Sequence, residues 1–212
     1  MKETAMKKTR RRLSQGLTVG PIGSGLAAGL ILPLPVASLA ATPACGADAD
    51  STPRQTEGPY FSRNSPLRRS LLDTDLPGTR LVLTGVVRGV GCAALGGALL
   101  DFWQADGYGD YDNRGYRLRG HQFTDAEGRY RLETVLPGLY PGRTRHIHVK
   151  LQAPGGPVLT TQLYFPAEAQ NRNDRIFSPA LLVSLAEPSA GQTSGPPAGQ
   201  VQASFDFVIR TA

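Results

Sequence analysis

The segment Tyr140-Pro-Gly-Arg-Thr-Arg-His146-Ile-His148 places a phenol and two imidazoles within nine residues of a chain that has only three histidines. If residues 145–151 form a strand, His146 and His148 stand at i and i+2 and face the same side. Two imidazoles roughly 6–7 Å apart along one face can hold a single metal ion. The nearby phenol narrows the choice. Tyrosinate is a hard, anionic oxygen donor that suits a strongly Lewis-acidic ion such as Fe(III) better than Zn(II). Standing alone, the same His-x-His would read as an exposed surface pair, so the rest of the chain has to decide.

The elements that would position these groups are short strands. Arg80 to Val87 and Gly97 to Trp103 are apolar runs bounded by turn residues. The turn Asp125-Ala-Glu-Gly128 leads into a strictly alternating stretch, Arg129 to Val135. Further strands are expected over Arg145–Gln152, Val158–Phe165, Leu181–Leu185 and Val201–Ile209. Seven short strands at this spacing, with no helical period over ten or more residues beyond residue 40, predict an all-β fold. The expected architecture is a β-sandwich of short, mostly antiparallel strands with long loops. Residues 41–79, rich in Pro, Gly, Ser and charge, read as an extended N-terminal arm, and 80–212 as the sandwich domain. Residues 184–200 form a polar Pro/Gly loop.

Charge is distributed unevenly. Residues 1–40 hold six basic residues against Glu3, leaving the remainder of the chain at a net of only +1 out of +6. The basic pI therefore reflects the leader and gives no reason to expect a nucleic-acid partner. A basic start ending at Arg12, a weakly polar stretch, and Ser38-Leu39-Ala40 as a small-x-small site read as an export signal. Arg10-Arg11-Arg12 contains the arginine pair of a Tat-like signal. Pro33, Pro35 and abundant Gly oppose a permanent membrane span. Thr42-Pro43-Ala44 makes a poor lipobox, so a lipid anchor at Cys45 is not expected. In an exported chain the two cysteines, Cys45 and Cys92, suggest one disulfide, closing a loop of about 46 residues.

With these motifs in order, the chain resembles the intradiol ring-cleavage dioxygenases, non-haem Fe(III) enzymes that open catechols between the two hydroxylated carbons. The resemblance runs from about Thr52 to Phe165. It rests on Gln55-Thr-Glu-Gly-Pro-Tyr60, Asp101-Phe-Trp-Gln-Ala-Asp-Gly-Tyr-Gly-Asp-Tyr111, Arg119 to Gly128, Leu136-Pro-Gly-Leu-Tyr140, His146-Ile-His148 and Leu159-Thr-Thr-Gln-Leu-Tyr164. It implies a four-ligand site, Tyr111, Tyr140, His146 and His148, holding one Fe(III) per chain. The register of the first tyrosine motif, eight residues after Trp103, selects Tyr111 over Tyr108. Tyr111 is then the phenolate that leaves and accepts a proton when substrate binds. Arg143 is implied as the substrate-binding and catalytic cation that stabilises charge on the reacting ring, Gln162 as a catalytic residue near the metal, and Pro59 and Tyr60 as lining of the substrate pocket. The partners implied are a small aromatic diol and O2. His121 is not a ligand in this register, and Trp103 reads as core.

The chain departs from the family pattern at the same place. Five residues separate Tyr140 from His146, a shorter connection than in catechol and protocatechuate enzymes, and Thr144-Arg145 stand where Pro-Ala is usual. Substrate preference is therefore not carried over. A compact, exported branch of the family is the expectation. Gly128-x-Tyr130 with Leu136-Pro-Gly138-x-Tyr140 also resembles transthyretin-like and carboxypeptidase-regulatory-like sandwiches. In those the tyrosine packs and the module binds without catalysis, and neither calls for His-x-His with a second tyrosine upstream.

Overall fold

The structure, a computed structural model, describes residues 51–186 and 199–212. The leader expected over 1–40, the first ten residues of the arm, Cys45 and most of the 184–200 loop lie outside the described residues. Cys92 is not a free thiol.

The described residues form nine strands, most of them built on alternating apolar and polar side chains. They are β1 (Arg80–Gly89), β2 (Leu99–Trp103), β3 (Arg119–Phe123), β4 (Arg129–Val135), β5 (His146–Gln152), β6 (Leu159–Tyr164), β7 (Ser184–Leu185), β8 (Gln200–Ser204) and β9 (Phe207–Ile209). One sheet runs β4-β1-β8-β7, with β9 extending the pairing along β1. The other runs β3-β2-β5-β6. The expected all-β sandwich is what the chain forms, with three differences in detail. The stretch Arg119–Phe123, read as part of a turn motif, is a strand paired antiparallel to β2. The final run divides into β8 and β9, because the Phe205 carbonyl turns in against Gly85, where a Cβ would lie 1.8 Å from it. Both β8 and β9 run parallel to β1, while the remaining strand pairs are antiparallel. Leu181 sits in a 3-10 turn (Pro179–Leu181) instead of a strand. Among the described residues, no helix is long and apolar enough to cross a membrane.

The core lies between the sheets. Leu81 and Leu83 of β1, Leu132 of β4 and Phe207 of β9 meet Leu100 and Phe102 of β2, Ile147, Val149 and Leu151 of β5, and Leu163 of β6. These are the alternate positions of each strand. The period of two then fixes the outer face of the second sheet. Asp101 and Trp103 of β2, His146, His148 and Lys150 of β5, and Gln162 and Tyr164 of β6 project away from the core. Register places Trp103 beside His148, His148 beside Gln162, and His146 beside Tyr164.

The arm begins against the other sheet, where Thr52 N donates to Val208 O at 2.8 Å, and then covers that outer face, where Gln55 N donates to Thr160 O at 2.8 Å. Glu57 pairs with Lys150, whose ammonium sits 3.8 Å from the centre of the Phe61 ring. Farther on, Leu67 and Ser70 bridge to His121 and Glu133, tying the edges of the two sheets together.

Candidate metal centre

Two loops and one strand meet at the end of the outer face. The first loop, 106–112, follows β2 and carries Tyr111. The second, 136–145, follows β4 and carries Tyr140. They are locked together by two glycines. Gly109 has φ +96°, and a Cβ there would lie 2.3 Å from Leu139 O. A Cβ on Gly138 would lie 2.3 Å from Gly109 N. No side chain fits at either position, and the backbones touch: Gly138 N donates to Asp106 O at 2.6 Å. The motif Leu136-Pro-Gly-Leu-Tyr140 exists, in physical terms, to let the two phenol-bearing loops approach.

The four expected ligands come together. His146 Nε2 lies 3.1 Å from His148 Nε2 and 3.5 Å from Tyr111 Oη. Tyr140 packs at 5.6 Å between ring centroids on His146 and at 5.9 Å on Tyr111. Tyr140 is absent from the core cluster, whereas Tyr130 belongs to it. The packing role that a transthyretin-like sandwich would give Tyr140 is therefore filled by Tyr130.

The electrostatics suit a cation. Burial holds His146 neutral, down at about 4, and the adjacent Arg143 guanidinium pushes the same way. His148 is also pushed well down, by burial and then by His146 and Arg143. Burial raises both phenols, Tyr111 strongly, with Tyr140 adding to the effect. At Tyr140 the Arg143 charge and hydrogen bond oppose burial without cancelling it. Without a cation the site thus holds two neutral imidazoles and two protonated phenols.

Whether these residues fit an iron ion is decided by hydrogen bonding. His146 Nδ1 lies 2.6 Å from Thr144 O, an acceptor only, so Nδ1 carries the proton and Nε2 presents a lone pair. His148 Nδ1 is buried with no hydrogen-bond partner. If His148 is protonated at Nδ1, that N–H is orphaned and two lone pairs face each other at 3.1 Å. If it is protonated at Nε2, an orphaned lone pair remains at Nδ1. A cation between the two Nε2 atoms relieves the first arrangement, and their spacing is near the ~3 Å of two cis donors with bonds of about 2.1 Å. Among the described residues no group of three or more His, Cys, Asp or Glu could hold a metal. The two adjacent phenols would add hard, anionic oxygen donors to the imidazole pair, a set that suits a highly charged ion. The residues fit Fe(III).

The other expected site residues fall close by. Arg143 donates through Nη1 to Tyr140 Oη at 3.2 Å, through Nη2 to Gln162 Oε1 at 2.5 Å and through Nε to Asp174 at 2.9 Å. Gln162 is fully engaged: its Nε2 donates to Thr56 O at 2.9 Å. It holds the guanidinium and the arm together. Tyr60 stacks on Tyr111, 4.3 Å between centroids and 15° from parallel. Pro59 is exposed beside it. His121 stands apart, its Nδ1 2.7 Å from Ser65 O, in agreement with a structural role.

Several contributors were not legible in the sequence. Trp103 is buried as expected, but its ring also stacks on His148 at 4.8 Å and 9°, fixing the imidazole plane. Gly58, with φ +69°, passes over the same imidazole, where a Cβ would stand 3.5 Å from Cε1. The buried Arg119 guanidinium donates to the carbonyls of Tyr60 and Asp112, bracketing the Tyr60–Tyr111 stack. Asp174 carried no local signal at all.

Comparison with known proteins points to one family. The sequence matches a family model described as Dioxygenase over residues 56–211. It is 55% identical to the solved dioxygenase domain of a dioxygenase–carbohydrate-binding protein fusion from the cellulolytic bacterium Streptomyces sp. SirexAA-E, with TM-score 0.70, covering 77% of this chain and 100% of that one. The structure of 3-chlorocatechol 1,2-dioxygenase from Rhodococcus opacus 1CP aligns at 29% identity and TM-score 0.67, over 76% of this chain and 73% of that one. Catechol 1,2-dioxygenase 2 of Acinetobacter lwoffii is 31% identical over 153 residues, 60% of this chain and 56% of that protein. The chain belongs to the intradiol ring-cleavage dioxygenase family. It spans about half the length of the curated relatives it matches.

Proposed function

We propose that the protein is a non-haem Fe(III) intradiol dioxygenase acting on a catechol-type aromatic. The observation that carries this reading is the clustering of Tyr111, His146 and His148, with the Tyr140 ring packed on His146 and the Arg143 guanidinium beside it. These four residues would hold the iron, which would supply a Lewis acid able to accept a catechol as a ligand and activate its ring. In the overall reaction the bond between the two hydroxylated carbons breaks. Both atoms of O2 enter the product, and each of those carbons ends as a carboxyl of a cis,cis-muconate-type diacid.

The chain's own residues divide the remaining work. Tyr140 Oη accepts a hydrogen bond from Arg143, which favours its anion. Tyr111 has no such donor, and burial makes its oxygen strongly basic once its charge is not held. Tyr111 Oη is therefore the group that takes a proton from a substrate hydroxyl, its ring held against the stacked Tyr60 ring. Arg143, oriented by Gln162 and Asp174, places positive charge where the ring and its oxygens become negative. Trp103 and Gly58 wall His148 off from water. The export reading of residues 1–40 belongs to the same proposal and rests on sequence alone.

The test is a visible spectrum of iron-loaded protein, titrated without oxygen against a panel of catechols and followed by oxygen uptake. A burgundy protein with a tyrosinate-to-iron charge-transfer band is expected, shifting to longer wavelength as catechol binds. Tyr140→Phe should abolish or markedly change that colour. A wild-type protein that stays colourless after iron loading sinks the reading.

A further inference from the structure

The three residues before His146 are each held by one side chain from the segment that follows β6. Arg143 Nε donates to Asp174 Oδ2 at 2.9 Å. Thr144 Oγ1 meets Asn171 Oδ1 at 2.6 Å, and Arg145 Nε donates to Glu168 Oε1 at 2.6 Å. Asn171 is in turn fixed by its Nδ2 on Phe165 O at 2.9 Å. Asp174 does more than pair with Arg143. The same Oδ2 accepts the Thr144 backbone N–H at 2.9 Å, and Oδ1 accepts Ile176 N–H at 3.1 Å. Its side chain is 1% exposed, so these contacts are made out of water. Thr144 is the residue whose carbonyl receives His146 Nδ1–H at 2.6 Å.

We propose that Asp174 is a positioning residue that sets two parts of the centre at once: the Arg143 guanidinium through its side chain, and the His146 ring through the Thr144 peptide. The inference rests on the dioxygenase reading for its catalytic consequence, although the contacts themselves do not. Just before the histidines, the Thr144-Arg145 peptide is held from outside by a buried carboxylate and two neighbouring side chains. The cost of this arrangement is dependence on a distant segment, Glu168 to Asp174. That segment thereby becomes part of the machinery of the centre. Asp174→Asn is the informative substitution. Asp174 accepts three N–H groups on two oxygens, so an amide in either orientation sets an NH2 group against an N–H.

The test uses full-length protein with 15N-labelled histidine, first free of metal at one fixed pH. Wild type should show two hydrogen-bonded Nδ1–H signals, from His146 on Thr144 O and from His121 on Ser65 O. Asp174→Asn should broaden or lose the His146 signal and leave that of His121 in place. After iron loading, the same variant should bind iron about 10- to 100-fold more weakly. It should also shift the charge-transfer band through the moved Arg143–Tyr140 contact. Its kcat should fall about 10- to 100-fold, while KM for catechol moves less than about threefold. An unchanged His146 signal and iron affinity in Asp174→Asn overturn the proposal. Equal loss of the His121 signal also overturns it, because that would report general loosening. Asp174→Ala serves as the stronger perturbation, and if it does not fold the Asn variant decides. A wild-type protein that is colourless with iron would remove the dioxygenase reading, yet the metal-free spectra would still decide whether Asp174 positions His146.

Discussion

At the scale of residues, the centre is a device for keeping imidazoles neutral and phenols close without water. Its clearest solution signature is acid sensitivity of the metal-free protein. Burial lowers His146 to about 4 from an ordinary value near 6.5. The folded chain therefore refuses a proton that the unfolded chain binds. The contribution is present in full above about pH 6.5 and is lost as pH falls toward 4. The loss is on the order of 3 kcal/mol for this one group. His148 adds in the same direction. Urea midpoints measured on metal-free protein at pH 7 and pH 4.5 should differ accordingly, and His146→Gln should flatten the difference. A variant with the same pH dependence as wild type would show that His146 is not the titrating group. Asp174 adds to the same trend: burial alone would raise it, but the N–H groups of Thr144 and Ile176 and the Arg143 side chain hold it below the ordinary carboxylate range.

At the scale of elements, the site depends on loops that meet by backbone contact. β2 and β5 supply a rigid floor, because Trp103 and His148 are register partners inside a four-stranded sheet. The tyrosines, by contrast, are carried by loops whose approach rests on Gly109 and Gly138. Gly109→Ala combines a positive φ with a Cβ 2.3 Å from Leu139 O. It should cost roughly 2 kcal/mol or more of stability. It should also separate Tyr111 from Tyr140. The expected readout is a lower thermal midpoint together with a weakened or displaced charge-transfer band. A variant with the wild-type band would mean that the 106–112 loop does not position its tyrosine in this way. The strand seen at Arg119–Phe123 belongs to this scale too. As an edge strand it carries Arg119 under the first loop, where the guanidinium collects the Tyr60 and Asp112 carbonyls.

At the scale of the whole molecule, the sandwich and the site are separable. The core lies between the sheets, and the centre lies on the outer face of one of them, roofed by the arm. Leu83→Ala, in the middle of β1 and fully buried, should therefore cost about 2–5 kcal/mol of stability while the iron-loaded colour is kept. A denaturant melt and a visible spectrum read the two effects independently, and loss of colour at full folding would contradict the separation. The sequence by itself determined what depends on local pattern. A period of two gave seven apolar runs, Arg129–Val135 with its bounds correct, and placed His146 and His148 on one face. The order of the tyrosine and histidine motifs pointed to the family and to an Fe(III) donor set. Arg119–Phe123 was hidden because Arg119-Gly-His-Gln-Phe123 has no apolar alternation of its own, and its pairing comes from β2. The tertiary structure alone decided which groups support the ligands. Asp174 reaches Arg143 and Thr144 across about 30 residues, Tyr60 reaches Tyr111 across about 50, and Trp103 reaches His148 across a strand pair. No periodicity records such contacts. They arise when burial leaves a guanidinium, a peptide N–H and an imidazole needing partners, and the fold supplies those partners from wherever the chain happens to return.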